Sequence, residues 1–135
     1  MKFARMVFFV AGAWGIVVLT PLYFLFDTIG RQHSSPITNP QFYYGFLAVT
    51  MAWQLAFLVI GSDPARFRLM MIPSVVEKLG FVLSMGILYS EGRIAVTDVV
   101  IVMPDFLLGV LFTIAFAKTS GSDVGAGRRH WQTGG

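Results

Sequence analysis

Residues Leu69–Ser90 read LMMIPSVVEKLGFVLSMGILYS. The run is 22 residues long and mostly apolar, with Glu77 and Lys78 near its middle. That length fits a helix crossing a bilayer. Ionisable groups inside such a run are expensive, so each needs a partner or a task. The fold follows from this stretch: an all-α, four-transmembrane-helix bundle with a buried polar layer.

The totals agree. Mean hydropathy is +0.71 and 56% of the 135 residues are hydrophobic, while only 13% are charged. Ordinary soluble domains carry roughly twice that share of charge. Too little polar material is present to coat a water-soluble globule. There are no cysteines, so disulfides, thiolate nucleophiles and cysteine-based metal sites are excluded. The net charge of +3 lies at the ends of apolar runs. Such placement indicates membrane topology and anionic lipid rather than nucleic acid.

Outward from the opening stretch, three more apolar runs appear. Met6–Phe26 holds 21 residues without a charge and ends in PLYFLFD. It is too long for a signal-peptide core, so it reads as an uncleaved first helix. Asp27–Gln41, DTIGRQHSSPITNPQ, reads as a polar loop. Phe42–Gly61 is the second helix, with aromatics at its start that suit a membrane interface. Ser62-Asp63-Pro64 reads as a helix start, leading into the third helix at 69–90. After a tight turn at Glu91-Gly92-Arg93, the fourth helix covers 94–117. Residues 1–117 thus form the transmembrane domain. The remainder, 118–135, is rich in Gly and Ser and reads as a disordered cytoplasmic tail.

Lys2, Arg5, Arg66, Arg68, Lys118, Arg128 and Arg129 fall on one side of this layout, and only Arg31 and Arg93 on the other. The positive-inside rule then puts both termini of this multi-pass protein in the cytoplasm.

At about 100° per residue, each helix shows a polar stripe. The third carries Pro73, Ser74, Glu77, Gly80 and Ser84, with Lys78 on its flank; the fourth carries Asp98, Asp105 and Gly109. The second carries Tyr43, Thr50 and Gln54, and the first Gly12, Thr20, Tyr23 and Asp27. Turning every stripe inward is the economical packing. Rise per residue then places Gln54, Glu77, Lys78 and Asp105 in a central layer, and Asp27, Tyr23 and Asp98 in an outer one. Lys78 can neutralise one acid, or reach for the cytoplasm and leave Glu77 and Asp105 as a pair sharing a proton. Pro104 and Pro73 free the carbonyls of Val100 and Leu69 as acceptors beside those acids. Gly45, Ala48, Ala52 and Ala56 form a small-residue seam for close approach within the bundle or by a second copy.

Each feature has a plainer counterpart. The charged layer also reads as structural polar glue. Trp14, Trp53, Phe57 and Met70 read as ordinary packing rather than a cofactor box. His33 and His130 stand alone, and a metal needs several convergent ligands. Gly-rich phosphate loops, nucleophile elbows and Ser/His/Asp arrangements are missing from the sequence, so it assigns no cofactor and no catalytic residue.

The block YYGFLAVTMAWQLAFLVIGSDPARFRLMMIPSVVEKLGF, with PDFLLGVLFTIAFA further on, resembles small bacterial four-helix membrane proteins of the DoxX-like type. TPLYFLFD, WQLAFLVI, the Pro-led third helix and MPDFLLGVLF resemble the layout of the EXPERA-domain family, which includes sterol isomerases. That second resemblance implies acidic residues in a pocket among the helices, holding a cationic amine or a carbocation-like sterol. Asp27 stands at the position of the family's first-helix Asp. Gln54 stands where the family has Glu, and no His matches the isomerase pattern.

Three functions fit. The first is a binding or accessory membrane protein, with a small hydrophobic or amphipathic ligand, or a membrane partner or second copy. The second is an EXPERA-like enzyme using Asp27, Glu77 and Asp105. The third is an oligomeric proton or solute conduit. If Lys78 is the buried partner of Glu77, Glu77→Leu lowers the melting temperature in detergent; an unchanged melting temperature removes that pairing.

Overall fold

The computed structural model describes residues 2–32 and 39–127. All regular structure among them is helical: α1 (Lys2–Leu22), α2 (Phe26–Gln32), α3 (Pro40–Ser62), α4 (Met71–Ser90) and α5 (Val96–Gly127). Among the described residues, four helices are long and apolar enough to cross a membrane. Large apolar side chains such as Val10, Leu55, Val76 and Leu107 stay more than half exposed on those four. Water would penalise such a surface and hydrocarbon does not. The chain is therefore a multi-pass membrane protein.

The boundaries follow from local chemistry. Pro21 lies in the last turn of α1 and brings no N–H to the Val17 carbonyl. The first helix accordingly stops at Leu22 rather than Phe26, and tight bonds from Tyr23 to Thr20 and Phe24 to Pro21 turn the chain. The expected loop opens with α2 instead. Its Phe26 packs on Tyr43 and Tyr44, with ring centroids 5.0 and 5.5 Å apart. Ser62-Asp63-Pro64 does not start a long helix: the Arg66 N–H donates to Asp63 Oδ1 at 3.3 Å, holding a turn before a short 3-10 segment at Arg68–Met70. Pro73 falls in the first turn of α4, where a helix has no internal acceptor for that N–H. It starts the helix rather than freeing a carbonyl within it.

Between α4 and α5, Gly92 adopts φ 68°, which lets the Gly92 and Arg93 N–H groups donate to the Tyr89 and Leu88 carbonyls. This left-handed cap needs glycine because a Cβ would be strained there. Helix α5 runs past the expected end at Ala117, through a stretch read as disordered tail, to Gly127. Helical hydrogen bonds are internal to the segment, so the helix need not stop where its apolar run does. The rest of the expected tail, and both histidines, lie outside the described residues.

Helix α1 packs on α3, α4 on α5, and α1 on α5, whereas α3 and α4 scarcely touch. The core gathers at the end bearing the N-terminus, called here the near end. There Phe8, Phe57 and Phe112 are fully buried. Phe8 stacks on Phe112 at 4.3 Å, and Phe57 meets Phe112 edge-on at 4.9 Å. Ala4, Ala11 and Ala115 let the helices close around this plug.

The tight seam between α1 and α3 runs along Gly12 and Gly15. A Cβ on Gly12 would sit 2.7 Å from Leu58 Cδ2 and 2.9 Å from the Gln54 carbonyl, and one on Gly15 would overlap the Gln54 side chain. Of the expected seam, Gly45, Ala48 and Ala52 are exposed and Ala56 is half-buried. Gly15→Leu is expected to destabilise the protein by about 1–3 kcal/mol through overpacking, whereas Gly45→Leu leaves the melting temperature in detergent within a degree or two. Thermal unfolding followed by circular dichroism checks both.

Candidate functional site

A cavity of about 600 Å³ lies between the α1–α3 pair and the α4–α5 pair and is walled by all four long helices. Gln54, Glu77, Lys78 and Asp105 meet at its near-end floor. Its upper walls are apolar, with Val18, Phe46, Val49, Phe81 and Ile101 among them.

Each floor residue has a positioning cause. Gln54 is 3% exposed because Gly15 offers it a slot on α1. Its amide donates to the Thr50 carbonyl at 3.1 Å, one turn back on its own helix. Lys78 sits on the face of α4 that buries Met71 and Ser74, at i+7 and i+4 spacing. Gly109 lets α5 approach this face: a Cβ there would meet Leu79 Cδ2 at 2.7 Å and Lys78 Cβ at 3.5 Å. Asp105, one turn from Gly109, therefore comes within reach. Lys78 Nζ donates to Asp105 Oδ1 at 2.7 Å, lies 3.4 Å from Glu77 Oε2, and sits 5.4 Å from the centre of the Phe57 ring.

The ammonium is thus held by two carboxylates and an aromatic ring. It does not extend out of the bundle toward the near end. Its side chain is 6% exposed, against 27% for Asp105 and 21% for Glu77. Glu77 Oε2 is buried and accepts no hydrogen bond. One cation faces two acids, and both carboxylate side chains keep some accessible surface beside the cleft. Pro104 also lines the cavity, and its missing N–H leaves the Val100 carbonyl without that helical donor.

The central layer expected from the sequence is therefore brought together, with one exchange of place. Lys78, assigned to the flank, is the inward residue, and Glu77 stands at the side. Gly80 and Ser84 face outward, as does Thr20 on α1. Their hydroxyls donate to carbonyls one turn back, Ser84 to Gly80 at 2.8 Å and Thr20 to Ile16 at 2.7 Å. A hydroxyl satisfied by its own helix can face lipid, so not every polar stripe has to turn inward.

The expected outer layer does not assemble. Asp27 is exposed in the first turn of α2, and the Tyr23 ring lies 6.3 Å from that of Tyr44. Asp98 caps α5, accepting the Ala95 N–H at 3.0 Å. Phe57 packs in the plug, but Trp14 and Trp53 line the cavity and Met70 is exposed. The walls supplied by Phe46 and Phe81 carry no mark in the sequence, because side chains of the same type face the lipid elsewhere.

Breaking a buried pair leaves its partner uncompensated, which costs about 3–5 kcal/mol. Lys78→Ala is expected to fall in that range. Asp105→Asn lowers the melting temperature in detergent more than Glu77→Gln, because Asp105 accepts the shorter bond. Equal shifts would mean that Lys78 divides its charge evenly. No protein family, curated protein or solved structure is matched by this chain, so both resemblances rest on their sequence motifs alone.

Proposed function

We propose that this protein binds a small hydrophobic or amphipathic molecule in the cleft, with the molecule's polar end on the Glu77–Lys78–Asp105 floor. The observation that carries the reading is one apolar cavity of about 600 Å³ ending on ionisable and hydrogen-bonding side chains from three helices. Small-molecule sites commonly have this size and this mixture of apolar wall and few polar groups. A ligand that donates a hydrogen bond can meet the accessible part of the Glu77 and Asp105 carboxylates, which are 21% and 27% exposed. Loss of that bond in a competing molecule without a donor supplies selectivity.

In this reading the protein is a binding or accessory component of a bacterial plasma membrane, with both termini in the cytoplasm. Lys2, Arg5, Arg66, Arg68 and Lys118 support that orientation, since they fall in the near-end segments of the four long helices and of the α3–α4 connection. The exposed face at Gly45, Ala48 and Ala52 suits contact with a second copy or a membrane partner.

Two observations favour binding over the alternatives. An EXPERA-like enzyme would draw on Asp27 together with Glu77 and Asp105, yet Asp27 lies on α2 and is not among the cavity residues. A conduit through a single copy would have to pass Phe8, Phe57 and Phe112, each fully buried below the floor.

Native mass spectrometry of the protein extracted from its own membranes tests the proposal. The wild type is expected to retain an amphiphile. Thr50→Trp, which fills the cleft, is expected to lose that mass while keeping the melting temperature of the ligand-free wild type. Retention of the same molecule by Thr50→Trp would place it elsewhere and sink the proposal.

A further inference from the structure

The buried cluster holding the four long helices together lies wholly on the near-end side of Gln54 and Lys78. Beyond that level the molecule is two helical pairs side by side. Helices α3 and α4 scarcely touch, and residues of both line the cavity, which points to a lateral mouth between them. One ring contact spans it among the described residues: Phe46 of α3 and Phe81 of α4, with centroids 6.4 Å apart and planes inclined at 33°. Both side chains also line the cavity. Phe46 is 52% exposed, so it has room to change rotamer without disturbing the core.

We propose that Phe46 and Phe81 form an aromatic latch across this mouth, and that parting it admits a ligand sideways from the hydrocarbon phase. The inference rests on the binding function proposed above. Three features favour the lateral route. The aromatic plug closes the near end. The walls leading from the mouth to the floor are apolar, which suits a solute already dissolved in acyl chains. The two rings attract each other in an inclined geometry, so contact is the resting state and separation the activated one. The plug remains intact while the latch opens, which makes it the pivot for the two pairs.

The chain has no native cysteine, so a pair of introduced thiols is unique. Trp14→Phe and Trp131→Phe leave Trp53, which lines the cleft, as sole fluorescent reporter. Vesicles holding this protein are mixed with a bromine-substituted long-chain alcohol, and quenching of Trp53 is followed in time. Phe46→Ala and Phe81→Ala are each expected to speed quenching roughly tenfold, the scale of one aromatic pair. Phe46→Cys/Phe81→Cys joined by a short bifunctional thiol reagent is expected to slow quenching at least tenfold, with recovery when only one cysteine is present. Equal rates in all of these would overturn the latch and leave the binding site standing. Absence of quenching in the wild type and in every variant would overturn the binding site, and the latch with it.

Discussion

A charge within a hydrocarbon slab must be compensated inside the protein, since no water is at hand to do it. Lys78 is where this chain meets that constraint. The ammonium is desolvated, and its side chain is only 6% exposed. Asp105 supplies a short charge-assisted bond, Glu77 a second carboxylate, and Phe57 an aromatic face. These come from three helices, so keeping Lys78 satisfied fixes the register of α4 against α5 and the depth of α3. Gly109 serves the same end, because only a residue without a side chain lets α5 come close enough.

The same constraint explains why the interior is unequal along its length. Below Lys78 the helices are filled by small residues and the rings of Phe8, Phe57 and Phe112, and the buried Ser74 and Thr119 hydroxyls there donate to carbonyls one turn back. At the level of Lys78 the groups that solvate it occupy the centre and hold the pairs apart. Above it no large side chains fill the gap, and a cavity of about 600 Å³ remains. In lipid, helices gain little from hiding apolar surface from one another, so such a gap is tolerated where a soluble protein would collapse it. A membrane protein can thus carry a spacious apolar site at small cost in stability, provided one end of the bundle is well packed.

Stiffness and openness are therefore divided between the two ends. The near end has interlocking rings and the seam at Gly12 and Gly15. Toward the far end, the Tyr43 hydroxyl donates to the Leu22 carbonyl at 2.6 Å, tying α3 to the end of α1 within one pair. The Leu88 and Tyr89 carbonyls accept the turn N–H groups within the other. Each pair is internally braced, and the space between them is the part left free to hold something.

Much of this was legible in the order of residues. Four apolar runs, their punctuation by charge, proline and glycine, and the company of Gln54, Glu77, Lys78 and Asp105 follow from helix length and the cost of polar groups in hydrocarbon. Those are properties of a segment and its solvent, and need no neighbours. Tertiary structure alone decided that Lys78 rather than Glu77 faces inward, that Asp27 and Asp98 leave the layer, and that Gly15 rather than Gly45 forms the seam. Helical periodicity cannot tell a residue facing lipid from one facing a cavity when both environments are apolar, nor a hydroxyl that needs a partner from one bonded to its own helix. Phe46 and Phe81 look like any other side chains in the membrane until their helices are placed side by side.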